Sequence, residues 1–296
     1  MQSNDSDIRC GVILMLLSVL FFSANTLVIR WASLHAPGAD GWNATIYRGA
    51  VGLVIILAVY GNGRGFNPRG LLANRLVIVR GIIGAIGLAA FYITIGALGA
   101  SRAVVVNLSY PVFATLLAVP VLGERVSTRA LVWILIGFGG LVGFVGGGST
   151  QGISGYDLVG VSGAVSAGLV VVLVRKLIRT QHPATIYGSQ CVFGILLALP
   201  FGWQNFDKLP WQGHLALAGA AVLVTCGQLL MTFGFRLLSV SRGSAIQMLL
   251  PVITACGGYL FFGEHFGIAE YAWAVLILFA TWKVTRSPQP PRTDGA

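Results

Sequence analysis

Charge is what this sequence lacks most. Of 296 residues, 9% are Asp, Glu, Lys or Arg, and only 9 of them are acidic. An average soluble domain carries roughly 25% charged residues, so the chain falls far outside that class. Histidine is nearly as scarce. His35, His182, His214 and His265 are scattered, with no HExxH and no acidic cluster. A membrane-embedded enzyme would need a nucleophile, base or metal cluster of that kind, so no enzymatic activity is expected. The 4 cysteines, Cys10, Cys191, Cys226 and Cys256, have no metal-ligand spacing, and all but Cys10 lie in apolar runs. They read as small packing residues rather than a disulfide framework or metal site. No GxxxxGK[ST] loop is present, which argues against ATP-driven work within this chain. No cofactor is expected. The opening MQSNDSDIRC is polar and too acidic for a secretory signal, so the first helix is expected to serve as an uncleaved insertion signal.

What is present is apolar: 56% of the residues are hydrophobic, arranged in long runs. Each run is about the ~20 residues that a helix needs to cross a bilayer. The runs predict an all-α integral membrane protein with ten spans. These are Gly11–Ile29, Trp42–Tyr60, Leu76–Leu98, Ala103–Leu122, Ala130–Gly147, Leu158–Leu177, Ala184–Gly202, His214–Phe235, Gly243–Phe262 and Ile268–Trp282. Short loops join them. One Gly-rich joint, GGGSTQGISG, separates the fifth from the sixth and divides the chain into five-helix halves at 1–147 and 156–286. Residues 287–296 read as a disordered cytoplasmic tail.

The net charge of +10 is distributed between the apolar runs. That is a topology signal rather than a nucleic-acid surface. With the N-terminus inside, every Lys and Arg except Arg30, Arg48, Arg102 and Lys208 falls on the cytoplasmic side. The positive-inside rule then puts both termini in the cytoplasm.

Two stretches say nearly the same thing. SYPVFATLLAVPVLGERV begins at Ser109, and LLPVITACGGYLFFGEHF begins at Leu249. Aligned without gaps they lie 140 residues apart, so that Ser101-Arg102 meets Ser241-Arg242, Pro111 meets Pro251, and Gly123-Glu124 meets Gly263-Glu264. Internal repeats decide a fold before any other feature. Five spans separate the copies, and five is odd, so the second copy crosses the membrane upside down. Inverted-topology repeats are the architecture of secondary transporters, which hold substrate near the midplane and expose it alternately to each side.

Ten spans, two five-helix repeats and a Pro-to-Gly-Glu run closing each repeat's fourth helix resemble the drug/metabolite transporter superfamily, in particular its EamA-like branch. LFFSANTLVIRWA in the first span, ending near Arg30, and LVVVLVRKL in the sixth, ending in Arg175 and Lys176, are similar to that family's paired helices. The turn ASRA and its echo VSRG fit as well. The resemblance implies transport of small organic metabolites across a bacterial inner membrane, with the fourth and ninth helices lining a central cavity. Export of amino acids or related amphiphilic metabolites is the expectation. Import or exchange of nucleoside-like metabolites is the alternative, and a lipid flippase is the alternative of another class. The partners expected are a small-molecule substrate and the lipid bilayer, with no nucleic acid.

Polar groups within the spans are the site candidates, because hydrocarbon penalises them unless they are paired or line a wet cavity. Asn107 and Gln247 hold the same position in the two copies, each four residues before the proline. They either line the cavity or bond neighbouring helices as packing glue. Asn25, Tyr92, Thr94, Tyr110, Ser166, Gln228 and Tyr259 are further candidates, with interfacial anchoring or packing as the other reading. Arg48 either snorkels to the headgroups or holds a carboxylate-bearing substrate. Pro111 and Pro251 shape a static kink or act as paired hinges. Glu124 and Glu264 sit at helix ends, where the Gly stops the helix and the Glu pins a loop to a basic group. No acid or histidine lies at the middle of a span. That favours facilitated diffusion or exchange, or coupling through a group at the cavity mouth. Gly139 and Gly143 form a GxxxG in the fifth span. Gly81, Gly84 and Gly87 in the third, and Gly160, Ala164 and Gly168 in the sixth, are further small-residue stripes. They predict close helix packing, as a monomer or homodimer.

Overall fold

The computed structural model describes residues 5–98, 106–124, 126–146, 154–263 and 268–286, and every element among them is helical. In chain order the helices are α1 (Asp5–His35), α2 (Gly41–Tyr60), α3 (Pro68–Ala73), α4 (Arg75–Leu98), α5 (Tyr110–Leu122) and α6 (Thr128–Gly146). The second half contributes α7 (Gly155–Leu177), α8 (Pro183–Gly202), α9 (Trp211–Leu237), α10 (Val240–Gln247), α11 (Leu250–Phe262) and α12 (Ile268–Thr285). A 3-10 turn, Trp203–Lys208, follows α8. Six stretches among the described residues are long and apolar enough to cross a membrane, and three shorter apolar helices accompany them. Ile13, Leu20, Val54, Leu57, Leu196 and Leu260 are exposed on the outside of the bundle. Such an apolar exterior suits lipid, not water.

Local chemistry sets the helix starts. The Asp40 carboxylate accepts from Asn43 N at 2.8 Å and opens α2. The Asp157 carboxylate accepts from Ser154 N at 2.7 Å as half of a capping box that opens α7. The Asn67 side chain accepts from Gly70 N at 3.0 Å and starts α3, a short helix in what reads from sequence as a plain loop.

The spans predicted at Ala103–Leu122 and Gly243–Phe262 are interrupted. Leu108-Ser109 and Met248-Leu249 form turns between helical segments, at the same register of the two copies. Pro251 has no N–H, so the carbonyl of Gln247 loses its helical donor. Met248 N and Leu249 N bond instead to Ala245 O at 3.1 Å and Ile246 O at 3.0 Å, in the tighter i→i+3 pattern. The first copy does the same, with Ser109 N on Val106 O at 3.2 Å before Pro111.

Packing between helices comes in matched pairs. α1 lies against α9 as α4 lies against α7, α4 against α8 as α9 against α2, and α5 against α7 as α11 against α1. α2 packs on α8, and α6 on α12. Glycines allow these approaches. A side chain at Gly87 would press on Ser166 of α7, and one at Gly227, 140 residues on, would press on Phe21 and Phe22 of α1. The α6–α12 contact departs from the expected GxxxG. Gly140 and Gly143 meet Ile277 and Trp273, while Gly139 faces open space, so the contacting small residues recur every third position.

The densest core lies at one end of the bundle, here called the Glu124 face. Met15, Phe235, Leu238, Val240, Ile246 and Met248 are buried there in one cluster. All eight residues of α10 are buried, and it packs against α1, α5, α6, α7, α9 and α12. In α11, beyond the break, only Val252, Gly257 and Gly258 are buried, and the main partner among the described residues is α1. The two halves of one span therefore sit in different environments.

Candidate functional site

Gly123 ends α5 in the left-handed conformation, φ 65°, with its N–H and that of Glu124 turned back on Val119 O and Ala118 O. This left-handed αL cap precedes Glu124, whose carboxylate reaches the second half of the chain. Its Oε1 lies 3.5 Å from Arg175 Nε, and its Oε2 accepts from Val240 N at 3.3 Å. Arg175 Nη1 donates to the Phe235 carbonyl. One carboxylate thus ties the ends of α5, α7 and α9 to the start of α10, and it sits where the α10 N-terminus favours negative charge. Arg175, counted from sequence among the cytoplasmic cations at the end of the sixth span, is 4% exposed. Gly263 repeats the left-handed stop at φ 64°, while Glu264 and Arg102 lie outside the described residues.

The polar candidates separate into groups. Gln247 is buried, and its Nε2 donates to Ser18 Oγ of α1 at 3.2 Å. Asn107, its counterpart in the first copy, is half-buried before its own break. Ser166 spends its hydroxyl proton on Ser162 O of its own helix, as Thr94 does on Ala90 O. Asn25 and Tyr110 are half-buried on α1 and α5, Pro111 is buried and Pro251 half-buried, and Tyr259 is exposed. The Tyr92 side chain lies outside the described residues.

Arg48 does not snorkel. Its Nη2 donates to Gln228 Oε1 of α9 at 3.1 Å, while its Nε is buried without a partner. Next to it lies a residue that sequence reasoning passed over. Arg80 of α4, assigned to the cytoplasmic side by its place near the start of the third span, is 0% exposed. None of its three guanidinium nitrogens has a hydrogen-bond partner. Arg48, Tyr187 and Cys191 are the ionisable groups near enough to feel its charge. Tyr187 contacts Thr225 Oγ1 at 3.1 Å. Thr225 gives its own proton to Ala221 O at 2.7 Å, so the tyrosine is the donor of that pair. Gln190 Oε1, on α8, is also buried and unpartnered. A signal for Tyr187 existed: Ala44-Thr45-Ile46-Tyr47 recurs as Ala184-Thr185-Ile186-Tyr187 at the same 140-residue offset. For Arg80 no repeat signal existed.

The EamA-like transporter family matches the chain twice, over residues 9–146 and 154–286. The chain belongs to the EamA-like transporter family. Membership makes it a transporter and places its apolar helices in a membrane. It is 28% identical over 286 residues to the protein named pseudopaline exporter CntI in two strains of Pseudomonas aeruginosa, covering 95% of this chain and 97% of the relative. An uncharacterized transporter of Archaeoglobus fulgidus is 27% identical over 188 residues, 62% of this chain and 66% of its own. A solved crystal structure superposes with a TM-score of 0.72 at 17% identity, over 93% of this chain and 96% of that one, which shows a shared fold. Within this EamA-like transporter the features shared by the two family matches are the helix breaks, the left-handed glycine stops and the Thr-Ile-Tyr stretch. Arg48 and Arg80 belong to the first match alone.

Proposed function

We propose that this protein is a secondary transporter that exports small amphiphilic metabolites of the amino-acid type across a bacterial inner membrane by alternating access, with both termini in the cytoplasm. The observation that carries the mechanism is the asymmetry of the broken ninth span, whose α10 half is fully packed while its α11 half is not. Two inverted five-helix repeats account for the matched helix contacts and for the paired breaks at Leu108-Ser109 and Met248-Leu249. A pseudo-symmetric pair of halves can exchange conformations, and a broken span lets one half-helix move without the other. The Glu124 face is read as the cytoplasmic side, closed in this state by the packing of α10. Export follows the named role of the Pseudomonas relatives. No acid or histidine stands at the middle of a span, which favours movement down a cargo gradient, exchange, or coupling through a group at the cavity mouth.

The test is release from proteoliposomes loaded with labelled amino acids, nucleosides and vitamins. Cargo-specific release above protein-free liposomes is expected for amino-acid-like members. Release of nucleosides alone would redirect the cargo to that class, and no release of any member from folded, monodisperse protein would overturn the reading. A flippase remains the second reading. It is favoured by an apolar groove of about 430 Å³ between α1 and α9, lined by Val28, Trp31, Trp211 and Leu215. Movement of a labelled lipid between leaflets in the same vesicles would decide for it.

A further inference from the structure

Helices α2, α4, α8 and α9 contain no Asp or Glu. Two of them, α2 and α4, both packed on α8, nevertheless carry arginines within the bundle: Arg80 is 0% exposed, and half-buried Arg48 has its Nε buried without a partner. A guanidinium does not deprotonate in a protein, so both groups keep their charge. An isolated buried charge is costly, and a like charge beside it adds repulsion. The chain offers little in return. Gln228 accepts one proton from Arg48, and the Tyr187 proton is committed to Thr225. Gln190 Oε1 points at neither arginine within bonding distance. No carboxylate pairs with either guanidinium among the described residues. Among the described residues nothing supplies the compensating negative charge, which leaves it to a bound anion.

The space beside Arg48 has the shape for it, and Arg80 is not among the residues that line it in this state. Thr45, Arg48, Ala85, Leu88, Tyr187 and Gln190 enclose a cavity of about 10 Å³, room for the centre of one water-sized group. A second cleft shares Thr45, Ala85 and Leu88 with it and continues between Trp42, Ala89, Leu197 and Ala198, all apolar. α2 and α4 both pack on α8 and make no substantial contact with each other, so the slot runs between them over α8. One end is cationic and the rest is greasy.

The repeat sharpens the point. The 140-residue offset pairs Arg48 with Gly188 and Arg80 with Ala220. Features needed by the fold recur in both copies, as Pro111 and Pro251 do. These two charges do not recur, so the shared fold does not require them.

We infer that Arg48, joined by Arg80 once α2 and α4 part, forms the anion-binding end of the cargo site, taking a carboxylate of the transported metabolite while the apolar cleft takes its body. The inference rests on the transporter reading above and narrows its cargo to carboxylate-bearing amphiphiles. Two guanidinium forks meet an oxyanion with paired, charge-assisted hydrogen bonds, and a site built this way rejects an isostere without the charge. In the observed state the slot admits one small group, so the body of the cargo enters only when α2 and α4 part.

The experiment uses the full-length protein in lipid nanodiscs, as wild type and as Arg80→Gln, Arg48→Gln and Arg80→Lys. Thermal melts are recorded with L-leucine, N-acetyl-L-leucine or L-leucinamide, and separately with sodium acetate, phosphate and chloride. The two carboxylates are expected to raise the wild-type Tm, and the amide is not. Arg80→Gln and Arg48→Gln should bind the carboxylates about ten- to a hundredfold more weakly, as loss of a charged hydrogen bond implies. Arg80→Lys should retain part of the shift. Without ligand, Arg80→Gln should melt at or above wild type, because it removes an unpaired buried charge. A leucinamide shift equal to that of leucine, or an undiminished carboxylate shift in Arg80→Gln, overturns the site. So does a full shift from acetate, phosphate or chloride to which no organic probe adds, which would make this a site for a free inorganic anion. Ligand-free melting of both Gln variants far below wild type, with no carboxylate shift in wild type, would make the arginines structural and overturn it too. Proteoliposome release, run in parallel, separates the two readings. Binding without release fails the transporter reading and leaves the site, whereas unchanged release of N-acetyl-L-leucine by Arg80→Gln fails the site and leaves the transporter.

Discussion

Glu124 meets groups from two other helices, Arg175 and Val240 N, through its two oxygens, and Arg175 extends the link to the Phe235 carbonyl of a third. Its partner Arg175 is buried, so removing the carboxylate's charge leaves a buried cation without its counter-charge. Glu124→Gln keeps the shape and one acceptor but removes the charge, and it is expected to cost about 2 kcal/mol at the Glu124 face. The cost falls on the closed state, so the variant should populate the open cytoplasmic side more. Faster modification of a cysteine placed at Ile246 by a membrane-impermeant thiol reagent, added from the Glu124 side, is the readout. An unchanged rate would mean the pair does not hold that face shut. Residues such as Glu124 were legible in the sequence because the Gly-Glu turn is written twice. Arg80 was not, since five residues past a helix start is where a topology signal normally lies. Only the packing of α4 on α8 turns that side chain inward.

At the scale of elements, the interrupted spans are the working parts. Pro251 removes one helical hydrogen bond, and the turn at Met248-Leu249 uses i→i+3 bonds to bridge the gap. Replacing it with alanine restores an N–H within reach of the Gln247 carbonyl. Pro251→Ala is expected to leave Tm unchanged or raised and to slow cargo release several-fold in proteoliposomes. Unaltered release would reduce the break to a static kink. The prolines were visible at once, but the extent of the break was not. A proline in a helix bends it by an amount that its neighbours decide. Here α10 packs against six helices and α11 chiefly against α1, and the break is confined to two residues with ordinary helical dihedrals.

The whole molecule is closed at one face and looser toward the other end of its broken ninth span. Cross-linking tests whether that closure must be released in each cycle. Cysteines at positions 124 and 240, in a background with the four native cysteines replaced, should react with a short bifunctional thiol reagent. Transport should stop once the link forms and recover when a cleavable linker is reduced. Continued transport with the link in place would show that this face need not open.

Composition, apolar runs and the duplicated Pro-to-Gly-Glu stretch by themselves determined a helical membrane protein of the transporter kind. Lipid accepts only hydrogen-bonded helices or closed barrels, and a duplicated run of this length leaves a plain trace in the residue order. The placement of single polar side chains was decided only by tertiary structure. Gln247 faces Ser18 and Arg48 faces Gln228, partners 229 and 180 residues away in the chain. A helix shows every side chain to some direction. Which direction becomes a neighbour, a lipid or a cavity depends on where the other helices pack.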